Sequence, residues 1–155
     1  WIGENILKYE FALSLWENHC VWINGPDPAG LHHDKAVFCG TMNMKDPPET
    51  WDRDALLFQI PDGKKAIGDS AYEGLPEKVT VKRPGHSQDV FRFLDRAQNR
   101  QEAYHAWLEN YNILYHRFRH GKNTEDKMKL HKMVVGAVAV IVEYDMKYHP
   151  LFRVC

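Results

Sequence analysis

Two acidic residues stand where carboxylates could grip a hard cation. Asp69 follows a short strand, residues 64–67, and lies in the turn Gly68-Asp69-Ser70, which places it at the tip of that strand. Glu102 lies in a long amphipathic segment, to the side of the apolar stripe Leu94, Ala97, Tyr104 and Leu108, so its side chain reaches past the core. Mg²⁺ and Mn²⁺ prefer carboxylate oxygens and keep several of their waters. Two such ions about 3.5–4 Å apart can activate the attacking oxygen and stabilise the leaving one in phosphodiester cleavage. Each acid also has a plain structural reading: Asp69 as the cap of a turn, Glu102 as a solvated helical side chain. On the residue types alone, the structural reading is the more common one for both acids.

The imidazoles and basic residues form a second group. His32-His33-Asp34 resembles a ligand cluster, and His116 and His120 are spaced four apart, as zinc-binding pairs on one helix face can be. No cysteine or further histidine pair completes a four-ligand set. Arg117, Arg119, Lys122, Lys127, Lys129, His131 and Lys132 make a basic helix end near phosphate the better reading, although Glu125 and Asp126 dilute it. An ordinary solvated face is the alternative. Cys20, Cys39 and Cys155 lie far apart with no C-x-x-C pair, which argues against a zinc ribbon or a disulfide framework and fits a reducing compartment. No phosphate-binding loop, dinucleotide fingerprint or G-x-S-x-G elbow occurs.

These side chains must be carried by a chain of 155 residues, the size of one domain with a real core. Its 44% hydrophobic and 26% charged content is that of a soluble globular protein. The net charge of −1 gives no global basic field, so any nucleic-acid contact must come from local clusters. The longest apolar run, residues 133–142, is about half of what a membrane span needs. The chain opens on Trp1 with neither an initiator methionine nor a signal-peptide pattern, and is expected to be a fragment.

The alternation of Leu7, Tyr9, Phe11, Leu13 and Leu15 with more polar residues predicts a half-buried strand. Residues 20–23 read as the returning strand of a hairpin, and 24–30, rich in Pro and Gly, as a loop. A short helix over 32–38, an irregular stretch to 54, an apolar segment at 55–60 and short strands at 64–67 and 79–81 follow. From Ser87, a helix cap, apolar residues recur at three- and four-residue steps as far as Leu114 or Tyr115, with Gly121 as the stop. A second helix is expected over 124–147, although its Val-rich centre also reads as strand. Strands first and helices after give an α+β or α/β domain.

Several segments together resemble a known family. Residues 9–14, then Val21-Trp22-Ile23-Asn24-Gly25-Pro26 with Pro28-Ala29-Gly30, are similar to the paired strands and loop of eukaryotic DDE superfamily endonucleases, relatives of the PIF/Harbinger transposases. His33-Asp34 with Phe38, then Ile60-Pro61 and Gly63-Lys64, lead into Gly68-Asp69-Ser70-Ala71-Tyr72-Glu73-Gly74, which resembles the second-aspartate motif D-x-x-Y-x-G. Residues 96–102 resemble the R-x-x-x-R-x-E helix of the third acid; Phe118-Arg119-His120-Gly121 and Pro150-Leu151-Phe152 resemble the family's tail. The motifs are short, and their collinearity over nearly the whole chain makes the likeness.

The resemblance implies a ribonuclease-H-like mixed sheet with flanking helices, in which Asp69 and Glu102, 33 positions apart, are the second and third ligands of two divalent cations, Mg²⁺ or Mn²⁺. Water would first nick a DNA strand at a transposon end, and the freed 3′-hydroxyl would then attack target DNA. Arg96 and Arg100 would contact phosphate or brace Glu102, and Arg117, Arg119 and Lys122 would bind DNA. His33 and Asp34 match an H-D pair of accessory role. DNA is the implied partner, with self-association expected, no membrane and no small-molecule substrate; the nucleus is the implied location. The first aspartate, usually in a D-G-T strand at the centre of the sheet between the hairpin and the strand of Asp69, is not in this sequence. That absence leaves a second expectation: a domesticated or decayed derivative that binds DNA or protein without cutting.

Overall fold

A computed structural model of the chain describes residues 7–28, 30, 32–115 and 123–154. The fold is α+β. Its residues divide into two compact units, one of Trp1–Ala29 with Arg100–Arg153, the other of Gly30–Asn99 with Val154–Cys155.

In the first unit, β1 (Leu7–Leu13) and β2 (Cys20–Pro28) form an antiparallel hairpin in which Phe11 faces Ile23 and Leu13 faces Cys20. The Ser14 amide donates to His19 O at 2.9 Å to close it. The strand continues through Asn24, Gly25 and Pro26 to Pro28, where the sequence predicts a loop. The physical reason is a bulge between Lys8 and Glu10: prolines lack an N–H, and an irregular ladder at an edge tolerates them.

One whole helix and the second half of another, from Arg100 onward, complete this unit. α3 (Gln88–Glu109) begins as expected after Ser87, whose hydroxyl takes the Val90 amide at 3.4 Å. It ends at Glu109 rather than near Gly121. Asn110 and Tyr111 bond back three residues, to Trp107 O and Leu108 O, and a 3-10 turn over Asn112–Tyr115 follows. The Tyr111 hydroxyl donates to Asp145 at 3.2 Å, turning the chain toward α4. α4 (Thr124–Tyr148) is helical throughout, its Val-rich centre included, and starts at Asn123, which accepts from the Asp126 amide at 2.8 Å. Tyr104, Leu108, Val138, Val142, Met146 and Leu151 form the core, with Phe11 and Cys20 against it.

The second unit is built from short pieces. α1 (Asp34–Cys39) and α2 (Leu56–Gln59) pack together, a 3-10 turn spans Pro48–Thr50, and β3 (Ala66–Ile67) pairs in parallel with β4 (Val79–Thr80). Phe38, Cys39, Leu57, Val79 and Val81 make its core. The hairpin and the β3–β4 pair are separate two-stranded sheets among the described residues. No described helix is long and apolar enough to cross a membrane.

Phe38 is 2% exposed and touches the ring of Tyr72. Phe38→Ala is therefore expected to cost about 3–5 kcal/mol, read as a lower urea midpoint, from lost burial plus the cavity left behind.

Candidate active site

The segment Gly68-Asp69-Ser70-Ala71-Tyr72-Glu73-Gly74 is organised around one aromatic ring. The Gly68 amide donates to Thr80 O at 3.1 Å, carrying the β3–β4 ladder one residue beyond the strand. There the ladder stops, and Asp69, in extended conformation, caps a 3-10 turn over Ser70–Tyr72. Its Oδ1 accepts from the Ala71 amide at 2.8 Å, and Tyr72 N bonds back to Asp69 O at 3.2 Å. Oδ2 has no hydrogen bond among the described residues, and the side chain is exposed.

The turn is pinned from two sides. Tyr72 sets its ring edge-on to Phe38 of α1, with centroids 5.5 Å apart, and lies over Gly68: a Cβ there would stand 2.9 Å from Tyr72 Cδ2 and 3.1 Å from Val79 Cγ1. Gly68 is thus a packing requirement. Gly74 has φ +95°, a left-handed conformation that favours glycine, and Lys35 of α1 donates to the neighbouring Glu73 O at 2.6 Å. α1 consequently brings its own start, His33 and Asp34, into the same unit as Asp69, both of them exposed.

Glu102 is exposed on α3, and with Glu109 it acts on His105, whose pKa burial pulls below the ordinary value and the two carboxylates partly restore. The Gln98 side-chain amide, in the second unit, reaches Gly68 O at 3.5 Å. Asp69 belongs to the second unit and Glu102 to the first. Among the described residues no three His, Cys, Asp or Glu side chains cluster to hold a metal, a geometry that two acids alone do not make.

The basic residues separate. Arg96 is exposed on α3. Arg100 is 2% exposed, and its guanidinium donates to Phe152 O and Glu17 O at 2.6 Å and to Asn18 Oδ1 at 3.0 Å. Burial lowers its pKa from the ordinary value. A side chain so engaged ties the C-terminal segment to the hairpin turn rather than reaching for phosphate. Arg117, Arg119 and Lys122, with His116 and His120, lie outside the described residues. Lys127, Lys129 and Lys132 are exposed on α4, with Lys129 paired to Glu125 at 2.8 Å.

His131 departs from the basic face expected of it. It is 6% exposed, its Nδ1 takes the Tyr9 hydroxyl at 2.7 Å, and the two rings stack at 5.5 Å. Desolvation holds its pKa below the ordinary value, and burial raises that of Tyr9. Sequence reasoning missed this pair, yet the four- and three-residue steps from His131 through Val135, Val138, Val142 and Met146 place the histidine on the buried stripe. Burial also raises the pKa of Cys20, whose thiol donates to Trp22 O at 3.3 Å, and that of Tyr104.

Compared with known proteins, the chain matches no family model, no curated protein and no solved structure.

Two outcomes follow from these side chains. Arg100→Ala leaves the carbonyls of Glu17 and Phe152 without their donor, so it is expected to destabilise by about 2–4 kcal/mol in urea unfolding while leaving any DNA affinity unchanged per folded molecule. The lowered pKa of His131 means that the unfolded chain takes up its proton first as pH falls. Stability is then full above about pH 6.5, the unfolded value, and declines below it until the folded histidine also protonates. The urea midpoint should drop between pH 7.5 and pH 5, and His131→Gln should flatten part of that drop; an unchanged slope would show that other groups carry it.

Proposed function

We propose that the chain is part of the catalytic domain of a DDE-type nuclease of the transposase class, contributing the second and third metal-binding carboxylates, Asp69 and Glu102, to hydrolysis and transesterification of DNA. The observation that carries the reading is the Asp69 turn. A strand ends in parallel pairing, an exposed aspartate follows at once, and the tyrosine and two glycines around it have distinct mechanical tasks. Ligands in open α/β sheets collect outside the carboxyl ends of strands, which is where Asp69 sits.

One further feature supports it: Gln98, on the first part of α3 and in the same unit as Asp69, reaches Gly68 O at 3.5 Å. The cations would be Mg²⁺ or Mn²⁺, polarising the phosphodiester and supplying the attacking hydroxide. The protein's part is to hold the two carboxylates: the Ala71 amide fixes Asp69 through one oxygen and leaves the other for an ion. Arg96, Arg117, Arg119 and Lys122 would meet the phosphates of DNA. The partner is DNA, at transposon ends and target, and the implied location is the nucleus.

Calorimetric titration with Mn²⁺ tests the reading. Weak binding, on the order of millimolar for a site short of one carboxylate, is expected, falling at least about tenfold in Asp69→Asn and in Glu102→Gln. Binding indifferent to both substitutions would remove the proposal. Nicking of supercoiled plasmid by this chain alone is expected to stay at background with either ion; nicking that Asp69→Ala abolishes would show that two acids suffice.

A further inference from the structure

α4 carries two apolar faces, and the core uses only one. His131, Val135, Val138, Val142 and Met146 point inward. On the opposite side Met133, Val140, Ile141, Tyr144 and Tyr148 are all exposed, Met133 by 71% and Val140 by 67%. At about 100° per residue these five fall within roughly a third of the helix circumference, with Ala137 among them. The stripe runs over about 22 Å at 1.5 Å per residue. Five large apolar side chains left open in one stripe make the kind of contiguous patch that marks an interaction surface.

Gly136 adds an independent sign. Glycine inside a helix costs roughly 1 kcal/mol relative to alanine, yet a Cβ at Gly136 would meet nothing within 4 Å. Packing among the described residues gives no reason for it. Gly136 and Ala137 form a notch beside the stripe, and the aromatic Tyr144 lies two turns on.

We propose that this face of α4 is a self-association surface, occupied by α4 of a second copy of the chain running antiparallel. A two-fold axis between Val140 and Ile141 sets Val140 against Ile141 of the partner copy. It lays the Tyr144 ring of each into the Gly136–Ala137 notch of the other and puts Met133 beside Tyr148. A surface meeting itself must be self-complementary, and the small residues on one side of the axis match the large one on the other. The parallel arrangement would set tyrosine on tyrosine and alanine on alanine, leaving a clash beside a gap. Antiparallel packing also aligns the helix dipoles favourably. Tyr144 and Tyr148, whose hydroxyls lie 3.1 Å apart, present a rigid aromatic pair of the kind interfaces favour.

The test is sedimentation velocity on the chain as it stands and on two variants, with circular dichroism to verify the fold. The wild-type chain is expected to sediment as a dimer at about 100 µM and to dissociate on dilution. Val140→Asp buries a charge at the axis and should weaken the dimer at least about tenfold. Gly136→Leu fills the notch in open space, so it should keep or raise helicity while weakening the dimer to a similar extent. It decides the matter should Val140→Asp lose its fold. A wild-type chain monomeric at all concentrations, with the stripe serving a different protein or another segment, overturns the proposal. So does a dimer that neither variant weakens. The outcome is separate from that of the Mn²⁺ titration, because no residue is shared.

Discussion

The seating of the Tyr72 ring between Phe38 and the bare backbone of Gly68 governs where the Asp69 carboxylate stands. A side chain at Gly68 would displace the ring, the ring is what holds the 3-10 turn against α1, and the turn is what fixes Asp69 at the end of the β3–β4 ladder. The short elements of that unit, pairs of residues in β3 and β4 and single turns in α1 and α2, have little stability of their own. Their positions come from packing against one another, with Phe38, Leu57, Val79 and Val81 at the centre. An exposed acid on such a frame is positioned by hydrophobic contact and one backbone hydrogen bond.

The first unit solves a different problem. Its hairpin lies on the core of α3 and α4, and its inner surface includes polar groups that need partners: Tyr9 with His131, Trp22 with Glu10 at 2.8 Å, and Arg100 with main-chain oxygens. Leaving any of these unpaired in the interior would cost more than the bond itself contributes. Each therefore acts as a peg that fixes strand and helix in one register. Gln101 serves the same end on α3, donating to Phe11 O at 3.3 Å while its neighbour Glu102 stays in solvent.

The elements with long, strict periodicity were legible in the sequence. The alternation from Leu7 gave β1, the three- and four-residue steps gave α3 and α4, and Ser87 marked a helix start because a hydroxyl there meets an orphan amide. What stayed hidden depends on distant contacts. The continuation of β2 through two prolines rests on a bulge set by β1, and the end of α3 on Tyr111 reaching Asp145. At the site, the D-x-x-Y-x-G spacing gave the turn, while the reasons for Tyr72 and Gly74 needed α1. Arg100 looked like a phosphate contact because a charge in sequence carries no mark of burial. His131 looked like part of a basic face because neighbouring lysines masked its place on the apolar stripe.

We propose that Asp69 and Glu102 serve one metal centre. Paramagnetic broadening of the backbone amide signals by substoichiometric Mn²⁺ addresses it directly, since a bound ion erases signals within roughly one helix diameter or two of itself. The amides of residues 69–71 and of 101–103 should fade together, at the same small addition of metal, and Asp69→Asn should spare both sets. Broadening confined to one set, or loss of the first while the second persists in every titration, would contradict it.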